Sequence, residues 1–114
     1  MATEVGDIKD WHAHVYFDAD SKDAALKLRA AIVARFVAEM GRVHSRPIGP
    51  HPRWSYQVAF APQIFAAFVP WLALNRGELV ILVHPNTGRD LTDHRDRALW
   101  LGEKVDLELS ILKD

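Results

Sequence analysis

Apolar and polar residues alternate over residues 11–17, "WHAHVYF". Successive side chains of a β-strand point to opposite faces, so this alternation predicts a half-buried strand. The predicted strand directs Ala13, Val15 and Phe17 to one face and His12, His14 and Tyr16 to the other.

The next segment repeats apolar residues every three to four positions, which is typical of an amphipathic helix. Asp20 or Ser21 is predicted to cap this helix, which runs to about Met40 and ends before Gly41. A second helix is predicted to start at Pro62 and to end at Gly77. Pro70 lies inside it, and we expect a kink or a break there.

The remaining alternating or apolar segments predict further strands. Residues 42–48 are expected to form an edge strand, because Pro47 cannot donate to a ladder. Residues 54–60 and 78–83 are expected to form the third and fourth strands, and 105–112 a final one. A polar loop at 85–96 and a short turn at 98–102 are expected between the last two strands.

This order of elements, βαββαβ with an extra C-terminal strand, predicts an α+β fold of the ferredoxin-like split βαβ type. We expect one domain over residues 1–114, with the first and third strands adjacent and parallel and the fourth strand antiparallel to the first. Two helices cover only one face of such a sheet. The extra strand and a second subunit are expected to cover the other face, which predicts a homodimer.

The amino-acid composition limits the classes of binding partner that we expect for this chain. The formal net charge of −1 gives no basic surface for nucleic acid or an anionic membrane, and the lack of cysteine excludes disulfides and thiolate metal sites. The longest apolar run, 64–74, is too short to span a bilayer. The polar N-terminus does not match a signal peptide, so we expect a cytoplasmic protein.

The expected topology brings histidines together at one sheet edge. His12 begins the first strand, His51 precedes the third and His84 follows the fourth, with His14 further along the face of His12. Neutral imidazole is a common ligand for divalent iron and zinc. The pattern therefore predicts a metal or catalytic centre. Asp90 or Asp93 could add a carboxylate, or the site could be all-histidine.

Other polar residues leave more than one interpretation open. His94 is either a loop histidine or an acid–base group, and His44 is expected to be structural or exposed. Arg46, Arg53 and Arg89 flank the histidine turns and suit a substrate carboxylate, although exposed loop arginines are common.

Four sequence blocks occur along the chain in this order: "HAHVYF", "GPHP", "PWLALNRGELVILVHPNTGRDLTDH" and "ALWLG". Together they resemble the DOPA 4,5-dioxygenase family over most of the chain. The resemblance implies a ferredoxin-like dimer that cleaves a catechol ring in the extradiol manner, using O2 and a nonheme metal. The histidines in the matching motifs are His12, His14, His51, His84 and His94.

The function expected on this basis is extradiol cleavage of a catechol such as L-DOPA to a muconic semialdehyde. Fe(II) is the expected metal, with zinc as a substitute, and His12, His14, His51 and His84 are the expected ligands. His14 or His94 would carry protons, Tyr16 would line the ring pocket, and Arg53 and Arg89 would hold a side-chain carboxylate. The alternatives are a non-catalytic metal- or ligand-binding dimer, and a zinc enzyme of another reaction class.

Overall fold

The computed structural model describes residues 2–114, which form an α+β fold built on a five-stranded antiparallel sheet. Within these residues, no helix combines the length and apolar character needed to cross a bilayer. The strands are β1 (Asp10–Phe17), β2 (Glu39–Met40), β3 (Trp54–Phe60), β4 (Val80–Asn86) and β5 (Leu99–Leu101). The helices are α1 (Lys22–Arg35), α2 (Phe65–Asn75) and α3 (Asp90–Arg95), with 3₁₀ turns at Val5–Asp7, Pro62–Ile64 and Leu109–Ile111.

The strand order is β2-β3-β1-β4-β5, so β1 lies at the centre between β3 and β4. Its neighbours are as predicted, but the prediction that β1 and β3 are parallel was wrong. Trp11 pairs with Phe60, and Phe17 pairs with Trp54. The start of β3 therefore lies beside the end of β1, which changes the route by which His51 can reach the other histidines.

The two longer helices cover one face of the sheet. Ala13, Val15 and Phe17 of β1 pack in one buried cluster with Leu28 of α1 and Phe68 of α2. The alternation predicted for residues 11–17 therefore places the expected side chains in the core. The second helix follows a 3₁₀ turn at Pro62–Ile64 and continues as one α-helix through Pro70.

The predicted strand at 42–48 was wrong, and so was the predicted end of the first helix near Met40. Helix α1 ends at Arg35, and Phe36 is already extended, with φ −129° and ψ 149°. The Phe36 ring packs against Phe68, with ring centroids 4.8 Å apart, so a core contact favours leaving the helix there. Residues 42–48 contribute only isolated bridges, between His44 and Ser55 and between Ile48 and His51.

The end of the chain also differs from the prediction. Residues 105–112 form no strand, and the fifth strand is β5, inside the segment predicted as a turn. Helix α3 occupies part of the predicted loop at 85–96. The alternation at 105–112 has another cause: Val105 is buried and Leu107 half-buried against the sheet, without ladder hydrogen bonds.

This C-terminal segment covers the sheet face opposite α1 and α2. Tyr16, Val80, Leu82 and Val105 form a second buried cluster, with Trp100 and Leu107 packed against it. The apolar surface that motivated the predicted homodimer is therefore covered in part by the chain itself. The homodimer stays a prediction.

Replacing Tyr56 with phenylalanine should lower the free energy of unfolding by about 0.5–1.5 kcal/mol, the usual net value of a buried hydrogen bond. The Tyr56 hydroxyl is fully buried and donates to the Ala25 carbonyl at 2.8 Å, joining β3 to α1. Burial raises the pKa of this hydroxyl above its ordinary value, which keeps it a donor. Urea unfolding measures the effect, and an unchanged midpoint would contradict it.

Candidate metal centre

Antiparallel pairing of β1 with β4 places His12 directly opposite His84. His14 lies two residues further along β1, on the same face. One ring nitrogen from each of these three side chains lies within 4.8 Å of the others, a spacing at which they could hold one metal ion. The Nε2 atoms of His14 and His84 are 3.0 Å apart. We call these residues the histidine triad (His12, His14, His84).

The hydrogen bond of His84 orients its ring within the triad. Its Nδ1 lies 2.9 Å from the Pro85 carbonyl oxygen. A carbonyl only accepts, so Nδ1–H donates and Nε2 keeps its lone pair on the side of His14. Metal-ligating histidines commonly donate their second N–H to a backbone carbonyl in this way.

Burial keeps the inner imidazoles neutral. It lowers the pKa of His84 to about 3, helped by the nearby His94 ring, and lowers the pKa of His14 well below its ordinary value. Neutral imidazole is the form that binds a metal, and no competing proton has to be displaced near pH 7. His14 and His84 are therefore suited to bind a divalent transition metal, and His12 lies within ligand spacing of both.

His51 reaches the same region by a route that the sequence did not predict. Because β1 and β3 are antiparallel, His51 enters from the far end of β1, in a segment that folds over the sheet with a bridge between Ile48 and His51. Its ring centroid is 4.2 Å from that of His14. Its Nδ1, however, bonds to the Tyr16 hydroxyl at 2.5 Å, and His51 lies outside the triad. Burial lowers its pKa to about 4.

His94 lies on α3 and completes a cluster of five rings. Its ring centroid is 3.9 Å from that of His84 and 6.1 Å from that of His14. Its Nδ1 is 2.7 Å from the Asp90 carbonyl oxygen and therefore donates to it. We call the five residues the histidine cluster (His12, His14, His51, His84, His94). His44 lies apart, in its bridge with Ser55.

The two carboxylates suggested from the sequence do not belong to the triad's group of ligand atoms. Asp93 is buried, and its oxygens accept from the Thr87 backbone N–H, the Thr87 hydroxyl and Arg97 at 2.8–3.1 Å. This network anchors α3 to the end of β4. Asp90 contributes its backbone carbonyl to His94.

Sequence reasoning missed Asp10, whose Oδ1 lies 3.5 Å from His12 Nε2. A signal was present, since Asp10, His12 and His14 occupy alternate positions and so share one face of β1.

A model of the Dopa 4,5-dioxygenase family matches residues 11–111. The chain belongs to the Dopa 4,5-dioxygenase family. This match confirms the resemblance found in the sequence. All six histidines of the chain lie within the matched residues.

Relatives of this family member include one enzyme named for its reaction. The chain is 42% identical over 115 residues to the DOPA 4,5-dioxygenase of Amanita muscaria, covering 93% of this chain and 50% of that protein. It is 49% identical over 80 residues to an "Uncharacterized 21.2 kDa protein" of Botryotinia fuckeliana, covering 63% of this chain and 44% of that one. The chain thus spans about half the length of the curated relatives that it matches.

A solved structure is similar over nearly its whole length. The crystal structure of a putative dioxygenase from Nostoc punctiforme superposes with a TM-score of 0.95 at 48% sequence identity. The match covers 96% of both chains.

The residues expected to bind substrate are separated in this family member. Tyr16 and Arg53 line one groove, with a volume of about 1010 Å³, beside the start of β3. Arg53 Nη2 bonds to Glu103 at 2.9 Å, and both side chains are largely exposed. Arg89 pairs instead with Asp114 at 3.1 Å. Arg46 lines a second, smaller concavity with His44. The larger groove borders the histidine cluster at Tyr16, whose hydroxyl bonds to His51 Nδ1.

Proposed function

We propose that this chain is a metal-dependent dioxygenase that opens a catechol ring in the extradiol manner. The observation that carries the proposal is the histidine triad, three ring nitrogens within 4.8 Å, in a chain of the Dopa 4,5-dioxygenase family. The family supports the oxidoreductase class, and the triad supports metal dependence. Extradiol cleavage, the catechol substrate and the metal are parts of the proposal.

The triad would hold Fe(II), with zinc as a substitute. Three protein ligands leave positions open for other molecules, which separates this arrangement from a closed structural site. When bound, such an ion supplies Lewis acidity toward the catechol oxygens and a place for O2 beside them. The chain's own residues then have two tasks: to hold the ring and to move protons.

We assign the proton-carrying role to His94. Both His14 and His94 were candidates, but His14 offers its Nε2 to the triad. In His94, Nδ1 donates to the Asp90 carbonyl, and Nε2 is the ring nitrogen that this contact leaves free to exchange a proton. It would accept a catechol hydroxyl proton and later return one. The carbon–carbon bond beside one oxygenated ring carbon breaks, both atoms of O2 enter the product, and a muconic semialdehyde results.

His51 and Tyr16 would form the wall between the metal and the groove. The Tyr16 hydroxyl is hydrogen-bonded to His51 Nδ1, and Trp100 stacks on Tyr16 with ring centroids 6.1 Å apart. Burial raises the pKa of the Tyr16 hydroxyl, so it stays protonated. His51, predicted as a fourth ligand, would on this geometry orient Tyr16.

The test is oxygen uptake by protein reconstituted anaerobically with Fe(II). We expect stoichiometric oxygen consumption with L-DOPA, caffeate, protocatechuate or catechol, together with the visible absorption of a ring-opened product. A metal-loaded protein that consumes no oxygen with any of them would overturn the dioxygenase proposal in favour of the non-catalytic binding protein. The ferredoxin-like class, the homodimer and the cytoplasmic location predicted from the sequence remain part of this proposal.

Replacing Arg53 with methionine should raise KM for carboxylated catechols about tenfold and leave KM for plain catechol unchanged. Arg53 lines the groove with Tyr16, and its partner Glu103 is exposed enough to be exchanged for a substrate carboxylate. Loss of such a contact removes binding shared by ground state and transition state, so kcat should be retained. Arg89→Met is the matched control, because Arg89 is not among the residues that line this groove. Equal KM changes for both classes of substrate would contradict this role.

A further inference from the structure

Helix α3, which carries His94, begins without a capping side chain of its own. It is six residues long and starts at Asp90, and Arg89, the residue before it, makes no side-chain hydrogen bond to the first turn. An arginine side chain has no acceptor atom, so it cannot act as the serine, threonine or aspartate that usually caps a helix. Because a helix this short is not stable by itself, contacts from other segments must hold its first turn in place.

The carboxylate of Asp114 supplies this cap from 22 positions further along the chain. Its Oδ1 accepts from the Thr92 backbone N–H at 2.9 Å, and its Oδ2 accepts from the Thr92 hydroxyl at 2.6 Å. Thr92 is the third residue of α3, and the N–H at this position is a usual partner of a capping side chain. The same hydrogen bonds lower the pKa of the Asp114 carboxyl below its ordinary value, which keeps it an ionised acceptor at neutral pH.

The first turn of α3 also orients the His94 ring. The Nδ1 of His94 donates to the carbonyl of Asp90, the first residue of the helix, at 2.7 Å. Fraying of this turn would move the carbonyl and remove the hydrogen bond from the ring. The ring centroid of His94 lies 3.9 Å from that of His84, so the place of His94 in the histidine cluster depends on the turn that Asp114 caps.

The segment before Asp114 is itself fixed beside the histidine cluster. Residues 105–107 pack on the sheet, and the backbone N–H of Glu108 donates to the Pro50 carbonyl at 2.8 Å. Pro50 directly precedes His51 in the sequence. Residues 105–114 therefore link the segment that carries His51 to the helix that carries His94.

We propose that Asp114 is a positioning residue for His94: its carboxylate fixes the first turn of α3 and thereby holds the His94 ring in the histidine cluster. The expected effect on turnover rests on the proposed function, in which His94 carries protons. The ion pair between Asp114 and Arg89 contributes little, because the Arg89 side chain is largely exposed.

The test compares Asp114→Ala with Asp114→Asn in the full chain. Asparagine caps a helix about as well as aspartate, so it should keep the Thr92 contact, whereas alanine has no acceptor to offer. Nitrogen-15 spectra of the imidazoles, recorded with Zn²⁺ in place of Fe(II) to avoid paramagnetic broadening, should show a slowly exchanging proton on His94 Nδ1 in the wild type and in Asp114→Asn. In Asp114→Ala this signal should broaden or disappear. Circular dichroism checks that the fold is retained.

Turnover gives the second readout. We expect kcat per bound iron to fall about fivefold in Asp114→Ala, since the loss of one cap shifts the balance toward the frayed turn by about this factor. KM and iron content should stay unchanged. A purely structural role would instead lower the iron content and leave kcat per bound iron as it is. Asp106→Ala changes an exposed aspartate of the same segment, and as the matched control it should alter neither the spectrum nor kcat.

The outcomes separate this inference from the proposed function. An unchanged His94 signal in Asp114→Ala would overturn the inference, and so would an Asp114→Asn protein as altered as Asp114→Ala. An unchanged kcat per bound iron in Asp114→Ala, with a wild type that turns over catechols, would overturn it as well. A wild type that consumes no oxygen would overturn the proposed function, and the His94 signal would then decide by itself whether Asp114 positions the ring.

Discussion

Protein with His84 replaced by alanine should bind no Fe(II) after dialysis and should show no turnover. His84 is buried, with its Nε2 3.0 Å from that of His14 and its Nδ1–H held by the Pro85 carbonyl. Without it, the triad is reduced to His12 and His14. Even the loss of an outer-shell partner lowers metal affinity about 10- to 100-fold, so the loss of a ligand should exceed that. Metal analysis and oxygen uptake measure the two effects.

A matched control tests whether the loss of metal and turnover is specific to the triad. His44→Ala removes a histidine that lies outside the histidine cluster, and it should retain both metal and turnover. Since removing a buried ring can also loosen the fold, the same loss should be seen with His12→Ala, whose side chain is partly exposed. Stoichiometric iron in either ligand variant, with turnover intact, would show that the triad does not hold the metal.

The second large effect is expected from Asp93→Ala, which should lower the free energy of unfolding by about 2–3 kcal/mol. Breaking a buried ion pair from one side costs about 3–5 kcal/mol, and the expected value is smaller because the Arg97 side chain is 25% exposed. The substitution also leaves the Thr87 N–H without the carboxylate that accepts from it. Urea unfolding, followed by circular dichroism, measures the change.

Asp93 supports the candidate proton carrier as well as the fold. It lies in α3 beside His94, so loosening this helix should lower kcat more than it changes metal content. Asp96→Ala is the control: its pair with Arg95 is largely exposed, and its loss should leave stability and kcat unchanged. An Asp93→Ala protein as stable as the wild type would show that this network does not anchor α3.

Local patterns were enough to predict the central elements of the fold. Alternation over 11–17 and 54–60 predicted β1 and β3, because burial of one face leaves a repeat of two residues in the sequence. The second helix was also located by local chemistry: a proline begins its 3₁₀ turn, and Gly77, at φ +58°, follows its end.

The same patterns predicted much of the histidine cluster. The alternate positions of His12 and His14 place both on one face of β1, and the end of the fourth strand brings His84 opposite His12. The prediction was correct in bringing them together because these three residues lie on paired strands.

Long-range contacts decided the rest. Three features depend on which surfaces of the folded chain meet, and the local spacing of residues carries no information about that. They are the direction of β3, the end of α1 at Arg35 and the loop that brings His51 to Tyr16. Residues 105–112 alternate between apolar and polar residues as a strand does, yet they lie over the sheet without ladder hydrogen bonds. A repeat of two residues indicates only that one side of a segment is buried, and it does not indicate that the segment pairs with a strand. The contact between Asp10 and Asn86 is of the same kind: the two residues are 76 positions apart, and only strand pairing brings them together.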